Sequence, residues 1–558
     1  MDPIFASHLN RIKSSLSNEF NLTTIPEWIE KNTKIRGENF SFKDHEYQLA
    51  VLRDQAQEVN IRKCSQIGLT ELTVRYTLAV SRIIDGFSTI YTLPTADMAT
   101  KFSKTRIDPV IESSEDLAFA VDANTDNTEM KRLGDSFIYF KGTFGAKAAI
   151  STPADLLVHD EFDFSDLSVL TTYQSRLTHS SHKLQRNFST PTLPGFGISE
   201  KFANSKRKWQ MVKCDHCAHS FLPNYFEHVK IPNFDNDLRS INANNLKSID
   251  YKQAKLLCPH CGKEPNLFPE YRTWVVENPD DNYDASGWQI QPFDAPAIIT
   301  MPDLIVASTR YKRYEDFINF NLGLPAESRE NSLARDELLA LHLDGIPAFT
   351  THVMGVDMGM TCHVVIAGVN FDGSMHVVHR EKVPLYTLTA RRLELAAKYR
   401  LSMSVFDAYP YTETILRMQN EDPNLYASVY TTSKSTELYK VKSIAEDSEK
   451  GKLPLRQVDV NRNKAFDDLM MTLREQKIFF AKDAHTDEFI AHCLDMKRIQ
   501  SFTQDQEMQF VWKKSEKGND HFFHALLYCH VAAKLRGASQ GLLQMPFIVR
   551  SFTVKQPT

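Results

Sequence analysis

The sequence predicts an α/β protein built from more than one domain. Its 558 residues are too many for one ordinary hydrophobic core. From residue 61 onward, short apolar runs such as STIYTL (88–93) and DLLVHDEF (155–162) alternate with helical segments, a pattern typical of a mostly parallel sheet. A second set of strands begins at THVMGVDMG (351–359), and a polar segment with two C-x-x-C pairs separates the two regions.

The composition indicates a globular protein without a membrane segment. Hydrophobic residues make up 42% of the chain and charged residues 24%, which is typical of folded soluble proteins. No stretch approaches the roughly 18 uncharged apolar residues of a membrane helix, and the N-terminus lacks the apolar core of a signal peptide. We therefore expect a cytoplasmic protein. A net charge of −5 excludes a wholly basic nucleic-acid coat but allows a local basic strip.

Residues 62–71, RKCSQIGLTE, lie between an apolar strand and a helical segment, where a phosphate loop would lie. Such a loop needs small residues, a helix N-terminus, a lysine for the phosphates and a hydroxyl for Mg²⁺. Gly68 and Thr70 meet these needs, but Leu69 stands at the usual lysine position. Read alone, the segment is therefore better explained as an ordinary strand–helix turn than as a phosphate loop.

A second element favours a nucleotide site. The apolar strand LLVHDE ends in Asp160 and Glu161. In P-loop ATPases an aspartate at this place holds Mg²⁺, and a following glutamate acts on the attacking water. Acidic residues often end strands, so the pair alone decides little. The loop segment and the acidic pair lie about ninety residues apart in an α/β pattern, and together they predict an ATP site.

Four of the eight cysteines form two pairs with metal-ligand spacing. The pairs are Cys214 with Cys217 and Cys258 with Cys261. A two-residue spacer lets both thiolates of a pair reach one tetrahedral ion, and four thiolates leave no open position for catalysis. A redox dithiol would need only one pair. The sequence therefore predicts a structural Zn²⁺ site.

Three acidic residues in the second half suggest a nuclease. Asp357 lies on the strand VMGVDMGM, Asp407 ends the strand MSVFD, and Asp520 opens the helix that begins near GNDHFF. Each alone is compatible with a solvated cap. Their order on strand, strand and final helix is that of an RNase H-like nuclease, in which carboxylates hold two divalent ions. Glu413 is the alternative to Asp407.

With these motifs, the chain resembles the GpA type of large terminase subunit, the DNA-packaging family of tailed phages typified by phage lambda. The segment 63–70, KCSQIGLT, is similar to the family's phosphate loop K-S-A-x-x-G-x-[ST], which carries its basic residue first. The resemblance implies that Lys63 binds phosphate. The other implied loop contacts are Ser65, Gln66, Gly68 and Thr70.

The resemblance extends to further segments. Residues 144–155 are similar to the lead-in to the family's acidic strand, and Ser189-Thr190-Pro191 to its coupling motif, which implies that Thr190 senses the γ-phosphate. HEYQ (45–48) resembles the adenine-contacting segment, with Tyr47 stacking on the base and Gln48 bonding its edge. An ordinary amphipathic helix explains that segment equally well.

The second half resembles terminase nuclease domains. Their first motif reads hydrophobic-x-D-x-G, as around Asp357, and their last reads N-D-[HD]-x-x-x-A-L-x-Y, as in residues 519–528. His521 stands where relatives often carry an acidic residue. The resemblance places a cysteine-pair ribbon after the coupling motif, as in this chain.

The predicted fold is an ASCE P-loop-type ATPase domain with an inserted zinc ribbon, followed by an RNase H-like α/β nuclease domain. The predicted boundaries are an N-terminal arm (1–40), the ATPase domain (41–205), the ribbon (206–275), a lid or linker (276–347), the nuclease (348–536) and a C-terminal tail (537–558).

The resemblance implies a viral DNA-packaging motor that moves double-stranded DNA into a capsid with ATP and cuts concatemeric genome DNA. Its cofactors would be ATP, Mg²⁺ or Mn²⁺, and Zn²⁺. Its partners would be a small terminase subunit, the capsid portal protein and further copies of the chain in a ring. It would work in the host cytoplasm, transiently at the procapsid portal vertex. Two alternatives stay open, a helicase–nuclease of DNA repair and a zinc-ribbon DNA-binding scaffold without activity.

Overall fold

The structure is a computed structural model that describes most of the chain. The described residues are 24–122, 127–143, 152–279, 282–326, 331–343, 345, 347–431, 437–442, 455–502, 508–515 and 518–543. The chain divides into two compact units. The first comprises Met1–Glu327 with Gln500–Gln509, and the second Ser328–Ile499 with Phe510–Thr558. Among the described helices, none has the length and apolarity to cross a membrane.

The first unit is built on a ten-stranded sheet. Its strands and those of two small sheets are Lys34–Ile35 (β1), Glu38–Asn39 (β2), Glu58–Lys63 (β3), Ser88–Leu93 (β4), Met130–Leu133 (β5), Ser136–Gly142 (β6), Leu156–Asp160 (β7), Leu184–Ser189 (β8), Lys206–Lys213 (β9), Ser220–Phe221 (β10), Val229–Lys230 (β11), Lys255–Leu256 (β12), Arg272–Val276 (β13) and Ser286–Ile290 (β14). Its helices are Ile25–Asn32 (α1), Glu46–Leu52 (α2), Leu69–Ile83 (α3), Ala96–Phe102 (α4), Asp108–Ser113 (α5), Glu115–Ala120 (α6), Leu167–Gln174 (α7), Ile198–Ala203 (α8), Tyr225–His228 (α9), Met301–Ser308 (α10) and Tyr314–Phe317 (α11).

The order of this sheet brings the sequence motifs together. It reads β10-β9-β14-β3-β8-β7-β4-β6-β5, with β13 paired to β9. Strands β3, β8 and β7 are parallel neighbours. All residues of β7 and β8 are buried, as expected for central strands covered on both faces. Because the carboxyl ends of parallel strands meet at one edge, Lys63, Asp160 and the residues after Ser189 meet there.

The first unit takes in more of the chain than the predicted ATPase boundaries. Strands β9, β13 and β14 belong to its sheet, although they lie in the segments assigned to the ribbon and the lid. Helix α1, within the predicted arm, buries Ile25 and Ile29 in the core of the unit. These segments are joined to the unit by packing and by strand pairing between residues far apart in sequence.

The second unit is built on a nine-stranded mixed sheet. Its strands are His342–Leu343 (β15), His352–Asp357 (β16), Thr361–Val369 (β17), Met375–Pro384 (β18), Leu401–Asp407 (β19), Leu425–Thr431 (β20), Tyr439–Val441 (β21), Gln457–Asn461 (β22) and Ile478–Ala481 (β23). A separate two-stranded pair, Met496–Phe502 (β24) and Met508–Lys514 (β25), has residues in both units. Its helices are Arg335–Leu339 (α12), Leu388–Tyr399 (α13), Thr412–Glu421 (α14), Arg462–Arg474 (α15), Thr486–Asp495 (α16) and His521–Leu543 (α17). The sheet order is β15-β23-β18-β17-β16-β19-β20-β22-β21.

One glycine sets the approach of the last helix to this sheet. A Cβ atom added to Gly355 on β16 would lie 2.1 Å from the backbone oxygen of Ala525 and from the backbone nitrogen of Cys529. Only glycine lets the backbones of α17 and β16 come so close. The close packing brings the start of α17 beside the end of β16. The predicted C-terminal tail begins at Gly537, but helix α17 runs past this residue to Leu543, since no proline interrupts it before Pro546.

Candidate functional site

The phosphate-loop segment joins β3 to α3. Gln66 and Gly68 both have positive φ angles, 61° and 71°, which lets the loop turn tightly into the helix. Backbone hydrogen bonds fix the loop: the amide of Cys64 donates to the Ile290 carbonyl at 3.0 Å, and that of Ser65 to the Phe320 carbonyl at 2.7 Å. Lys63 ends β3 and is only 6% exposed.

The acidic pair lies at the end of the neighbouring strand. The hydroxyl of Thr70 donates to Oδ2 of Asp160 at 3.4 Å, and that of Tyr91 to the same oxygen at 3.0 Å. Burial, together with the negative charge of Glu161, raises the pKa of Asp160 to about 7. Its Oδ1 is buried and has no hydrogen-bond partner among the described residues. A raised pKa and an unpaired oxygen fit a carboxylate that accepts a divalent cation.

A cavity of about 860 Å³ opens over the loop, a volume within the range of small-molecule sites. Eight residues predicted to contact ATP or water line it: Gln48, Lys63, Ser65, Gln66, Gly68, Thr70, Glu161 and Thr190. Asp160 reaches the site through Thr70. Part of the predicted lead-in to the acidic strand, residues 144–151, lies outside the described residues.

Tyr47 does not take the predicted place beside a base. It is 1% exposed, and its hydroxyl donates to the carbonyl of Ile67, so it supports the loop from beneath. Gln48 also donates to this carbonyl, at 3.2 Å, while its Oε1 is buried without a hydrogen-bond partner in the described part of the chain. That free acceptor suits the amino group of a base.

Three charged residues that line the cavity, Arg36, Glu71 and Arg106, are not among the predicted ATP contacts. Arg106 and Glu71 line it, and their side chains pair at 2.7 Å. Glu71 also pairs with Arg75 at 2.6 Å, and Arg75 is buried. Glu71 is visible in sequence only as the second residue after Leu69 in α3, and nothing near Arg106 resembles a motif. Their position depends on how α4 and its continuation fold back over α3.

Asp163 links the acidic strand to the segment after β8. It is fully buried; its Oδ2 accepts from the amide and the hydroxyl of Thr192, both at 2.8 Å, and its Oδ1 accepts from the amide of Ile198 at 2.6 Å. Burial raises its pKa to about 7. The side chain therefore holds the residues around Thr190 beside the acidic pair.

We expect Asp163→Ala to lower the free energy of unfolding by about 3 kcal/mol, because three buried donors lose their acceptor. Asp163→Asn keeps one carbonyl oxygen and should cost less. Urea unfolding of both variants and the parent measures the difference. Equal unfolding midpoints for Asp163→Ala and the parent would show that these hydrogen bonds do not hold the segment.

The four paired cysteines form one cluster. The Sγ atoms of Cys214 and Cys261 are 3.7 Å apart, as are those of Cys217 and Cys258. Zn–S bonds of about 2.3 Å in a tetrahedron place the sulfurs roughly 3.8 Å apart, whereas a disulfide needs about 2.05 Å. His216 and His260 lie outside the cluster, in keeping with their place inside the two loops. The sulfurs are thus spaced for a metal ion.

Each pair sits in the same kind of tight turn. The amide of Ala218 donates to the carbonyl of Cys214 at 2.8 Å, and that of Gly262 to the carbonyl of Cys258 at 2.9 Å. Ala218 and Gly262 have φ angles of 59° and 69°. Two equivalent turns present their thiols to one point, an arrangement that suits a tetrahedral metal ion.

In the second unit, Asp357 and Asp407 end adjacent parallel strands. β16 pairs with β19 up to Val356 and Phe406, so the next residues, the two aspartates, are neighbours. Burial and the charge of Asp357 raise the pKa of Asp407 to about 6. Burial is the larger of the two causes, and the second shows that the carboxylates of Asp357 and Asp407 interact electrostatically.

Asp520 has a different partner. It directly precedes α17, and its carboxylate lies 3.2 Å from Nε2 of His524. Although burial opposes ionisation, the His524 contact lowers the pKa of Asp520 to about 2. His524 in turn bonds the hydroxyl of Tyr430 at 2.7 Å. The alternative ligand Glu413 is exposed on α14.

Two histidines join Asp357. Nδ1 of His521 lies 2.9 Å from Oδ2 of Asp357. Among the described residues, ligand atoms of Asp357, His363 and His521 all lie within 4.8 Å of one another, a grouping that includes neither Asp407 nor Asp520. Sequence reasoning passed over His363. The one feature of the sequence that could have pointed to His363 is the short turn after Asp357, which lets β17 return beside β16.

Known phage proteins resemble this chain in sequence and in fold. Residues 45–271 match the family described as "Phage terminase large subunit gpA, ATPase domain". No curated protein gives a match. The fold is similar to that of the large terminase of bacteriophage HK97, with a TM-score of 0.51 and 11% identity over 93% of this chain and 99% of that one. The large terminase of a thermophilic bacteriophage aligns over 88% and 98% of the two chains at 10% identity, but its TM-score of 0.32 is too low to bear on the fold.

Proposed function

We propose that this chain, whose residues 45–271 match the ATPase domain of phage terminase large subunits, is the motor and nuclease of viral DNA packaging. It moves double-stranded DNA into a capsid by hydrolysing ATP and cuts the concatemeric genome. The observation that carries the proposal is the cavity over residues 63–70, where the phosphate loop, Glu161 and Thr190 meet inside the matched region.

A packaging assay tests this function. The purified chain is mixed with procapsids that carry their portal, the small terminase subunit, concatemeric DNA and ATP. We expect DNA to become protected from added nuclease, and to stay unprotected when a non-hydrolysable ATP analogue replaces ATP. Nuclease-sensitive DNA under every condition would contradict the motor function.

In the first unit, the position of each residue around the cavity gives it a separate role in ATP binding or hydrolysis. Lys63 and the backbone amides of the loop bind the phosphates, and Gln48 offers its free Oε1 to the base. Thr70 and Asp160 would hold Mg²⁺, which neutralises charge on the transferred phosphate. Glu161 orients and deprotonates the attacking water. Thr190, held near by Asp163, responds to the γ-phosphate.

In the second unit, Asp357, Asp407 and Asp520 would hold Mg²⁺ or Mn²⁺, which activate water for phosphodiester hydrolysis. The adjacent ends of β16 and β19 support this role for the first two, since their repulsion is relieved by a bound cation. For Asp520, the contact with His524 lowers the pKa and so favours the ionised carboxylate that a metal ion would need. DNA contacts would be mainly to phosphates, because a motor must move along any sequence.

The partners follow from the same proposal. They are double-stranded DNA, a small terminase subunit that selects the cutting site, the capsid portal protein and further copies of the chain in a ring. The protein would act in the host cytoplasm and transiently at the portal vertex. The family match of the ATPase domain disfavours a repair helicase–nuclease, and the assembled nucleotide cavity disfavours an inactive zinc-ribbon scaffold.

We propose that the cysteine cluster binds one Zn²⁺ per chain and holds the ribbon together. The sulfur spacing and the two equivalent turns support this. Cys217→Ser should lose the ion and increase protease cleavage within residues 206–275, since ribbons fold around their metal. Elemental analysis and limited proteolysis check it, with Cys493→Ala, a buried thiol of the second unit, as the control that keeps zinc. A full zinc content in Cys217→Ser would rule out this site.

A further inference from the structure

The position of His363 beside Asp357 is set by strand pairing. β16 and β17 are antiparallel, and Asp357 lies directly opposite His363 in their register. Directly opposed residues of an antiparallel pair point to the same face of the sheet. His521, the first residue of α17, is brought to this face because Gly355 lets the helix approach β16. Three separate elements thus deliver one carboxylate and two imidazoles to one place.

The contacts within this group are close. Nδ1 of His521 lies 2.9 Å from Oδ2 of Asp357. The rings of His363 and His521 stack with their centroids 4.8 Å apart and their planes at 13°. Donor atoms that share one ion with bonds of about 2.1 Å lie roughly 3–4 Å from one another. The observed spread of up to 4.8 Å needs only small side-chain rotations to reach that spacing.

His363 also carries an unexplained polar atom. The residue is 6% exposed, and its Nδ1 is buried without a hydrogen-bond partner in the described part of the chain. Buried polar atoms are nearly always paired, so an unpaired ring nitrogen indicates a missing partner. His492 lies close by, with its ring 5.8 Å from that of His363, but its Nδ1 already accepts the amide of Phe522 at 3.1 Å. His363 therefore has a buried ring nitrogen available to a ligand.

The chemistry of these donors selects the kind of ion. Mg²⁺ prefers carboxylate and water oxygens in a near-ideal octahedron, whereas imidazole nitrogen suits transition metals. A purely carboxylate site would draw on Asp407 and Asp520, and the carboxylate of Asp520 already pairs with His524 at 3.2 Å. We propose that Asp357, His363 and His521 bind one divalent transition-metal ion, such as Co²⁺, Ni²⁺ or Zn²⁺, in preference to Mg²⁺. The inference rests on the proposed nuclease function, because it assigns the metal chemistry of the same carboxylate.

Co²⁺ binding to the full, zinc-loaded chain tests the proposal. The visible absorption of Co²⁺ and titration calorimetry should report one bound ion per chain that excess Mg²⁺ does not displace. Cobalt that enters the cysteine cluster instead is recognised by its thiolate charge-transfer absorption. His521→Ala and His363→Phe, which keeps a ring at the buried position, should each weaken Co²⁺ binding by at least about tenfold. His376→Ala, on β18 and outside the group, should bind as the parent does.

A reciprocal variant sharpens the test. His521→Asp exchanges an imidazole for a carboxylate, so it should bind Mg²⁺ more tightly and Co²⁺ more weakly than the parent. The proposal is wrong if the parent binds no Co²⁺ outside the cysteine cluster, if both histidine variants bind it normally, or if Mg²⁺ displaces it at equal concentration.

The outcomes separate this site from the nuclease. Co²⁺ bound through His363 and His521 in a protein that never cuts DNA would refute the nuclease function and keep the site. Plasmid cutting that persists with Mg²⁺, in a chain without the Co²⁺ site, would refute the site and keep the nuclease.

Discussion

We expect Glu161→Gln to bind ATP as the parent does and to hydrolyse it more slowly by a factor of about 10²–10⁴, the usual contribution of a positioned general base. Glu161 follows β7 directly, has a φ of 53°, and lines the cavity opposite the phosphate loop. Glutamine keeps the size and the hydrogen-bonding oxygen of the side chain but cannot accept the proton of the attacking water.

Phosphate release under saturating ATP measures this turnover, and binding of a fluorescent ATP analogue measures affinity. Glu112→Gln, an exposed residue of helix α5 in the same unit, is the matched control and should hydrolyse ATP normally. Normal ATP turnover by Glu161→Gln would show that another group accepts the proton of the attacking water.

Lys63→Ala should be impaired in ATP binding, the step that precedes hydrolysis. The buried amine at the end of β3 would make charge-assisted hydrogen bonds to phosphate, each contributing about 1.5–3 kcal/mol, so ATP affinity should fall by about ten- to a hundredfold or more. Lys104→Ala, an exposed lysine of the same unit, should bind ATP normally. Hydrolysis by Lys63→Ala at the parent's rate would contradict the role given to the lysine that begins the motif.

The second large effect concerns DNA cutting. We expect Asp357→Ala to lower plasmid cleavage by at least about a hundredfold and to leave ATP turnover unchanged. Its carboxylate interacts electrostatically with Asp407 and lies 2.9 Å from Nδ1 of His521. Its loss would therefore remove a ligand from any ion bound there. ATP hydrolysis should persist because the nucleotide cavity lies in the other compact unit, with a hydrophobic core of its own.

Two further variants settle which carboxylate accompanies Asp357. Asp407→Ala should cut poorly, whereas Glu413→Ala should cut like the parent, because Glu413 is exposed on α14 and Asp407 ends the strand next to β16. Conversion of supercoiled plasmid to nicked and linear forms is the measurement, with ATP turnover of each variant as the folding control. Parental cutting by Asp357→Ala, Asp407→Ala and Asp520→Ala together would show that this unit is not a nuclease of the proposed kind.

The sequence by itself determined the local features, which depend on residues close together in the chain. Glycine and threonine at the start of α3, two acids at the end of a largely apolar strand, and two-residue spacers between cysteines are local patterns with direct geometric consequences. The strands around Asp357 and Asp407 and the helix after Asp520 were predicted correctly for the same reason.

Only the tertiary structure decided which side chains meet. The Tyr47 hydroxyl donates to the carbonyl of Ile67, and Asp520 pairs with His524. Nδ1 of His363, opposite Asp357, has no hydrogen-bond partner among the described residues. Such contacts depend on strand register and on how closely elements approach, as at Gly355. The hydrophobic periodicity of a sequence indicates which segments form helices and strands. It does not give the distance between two such elements, because that distance is set by the packing of residues far apart in the chain.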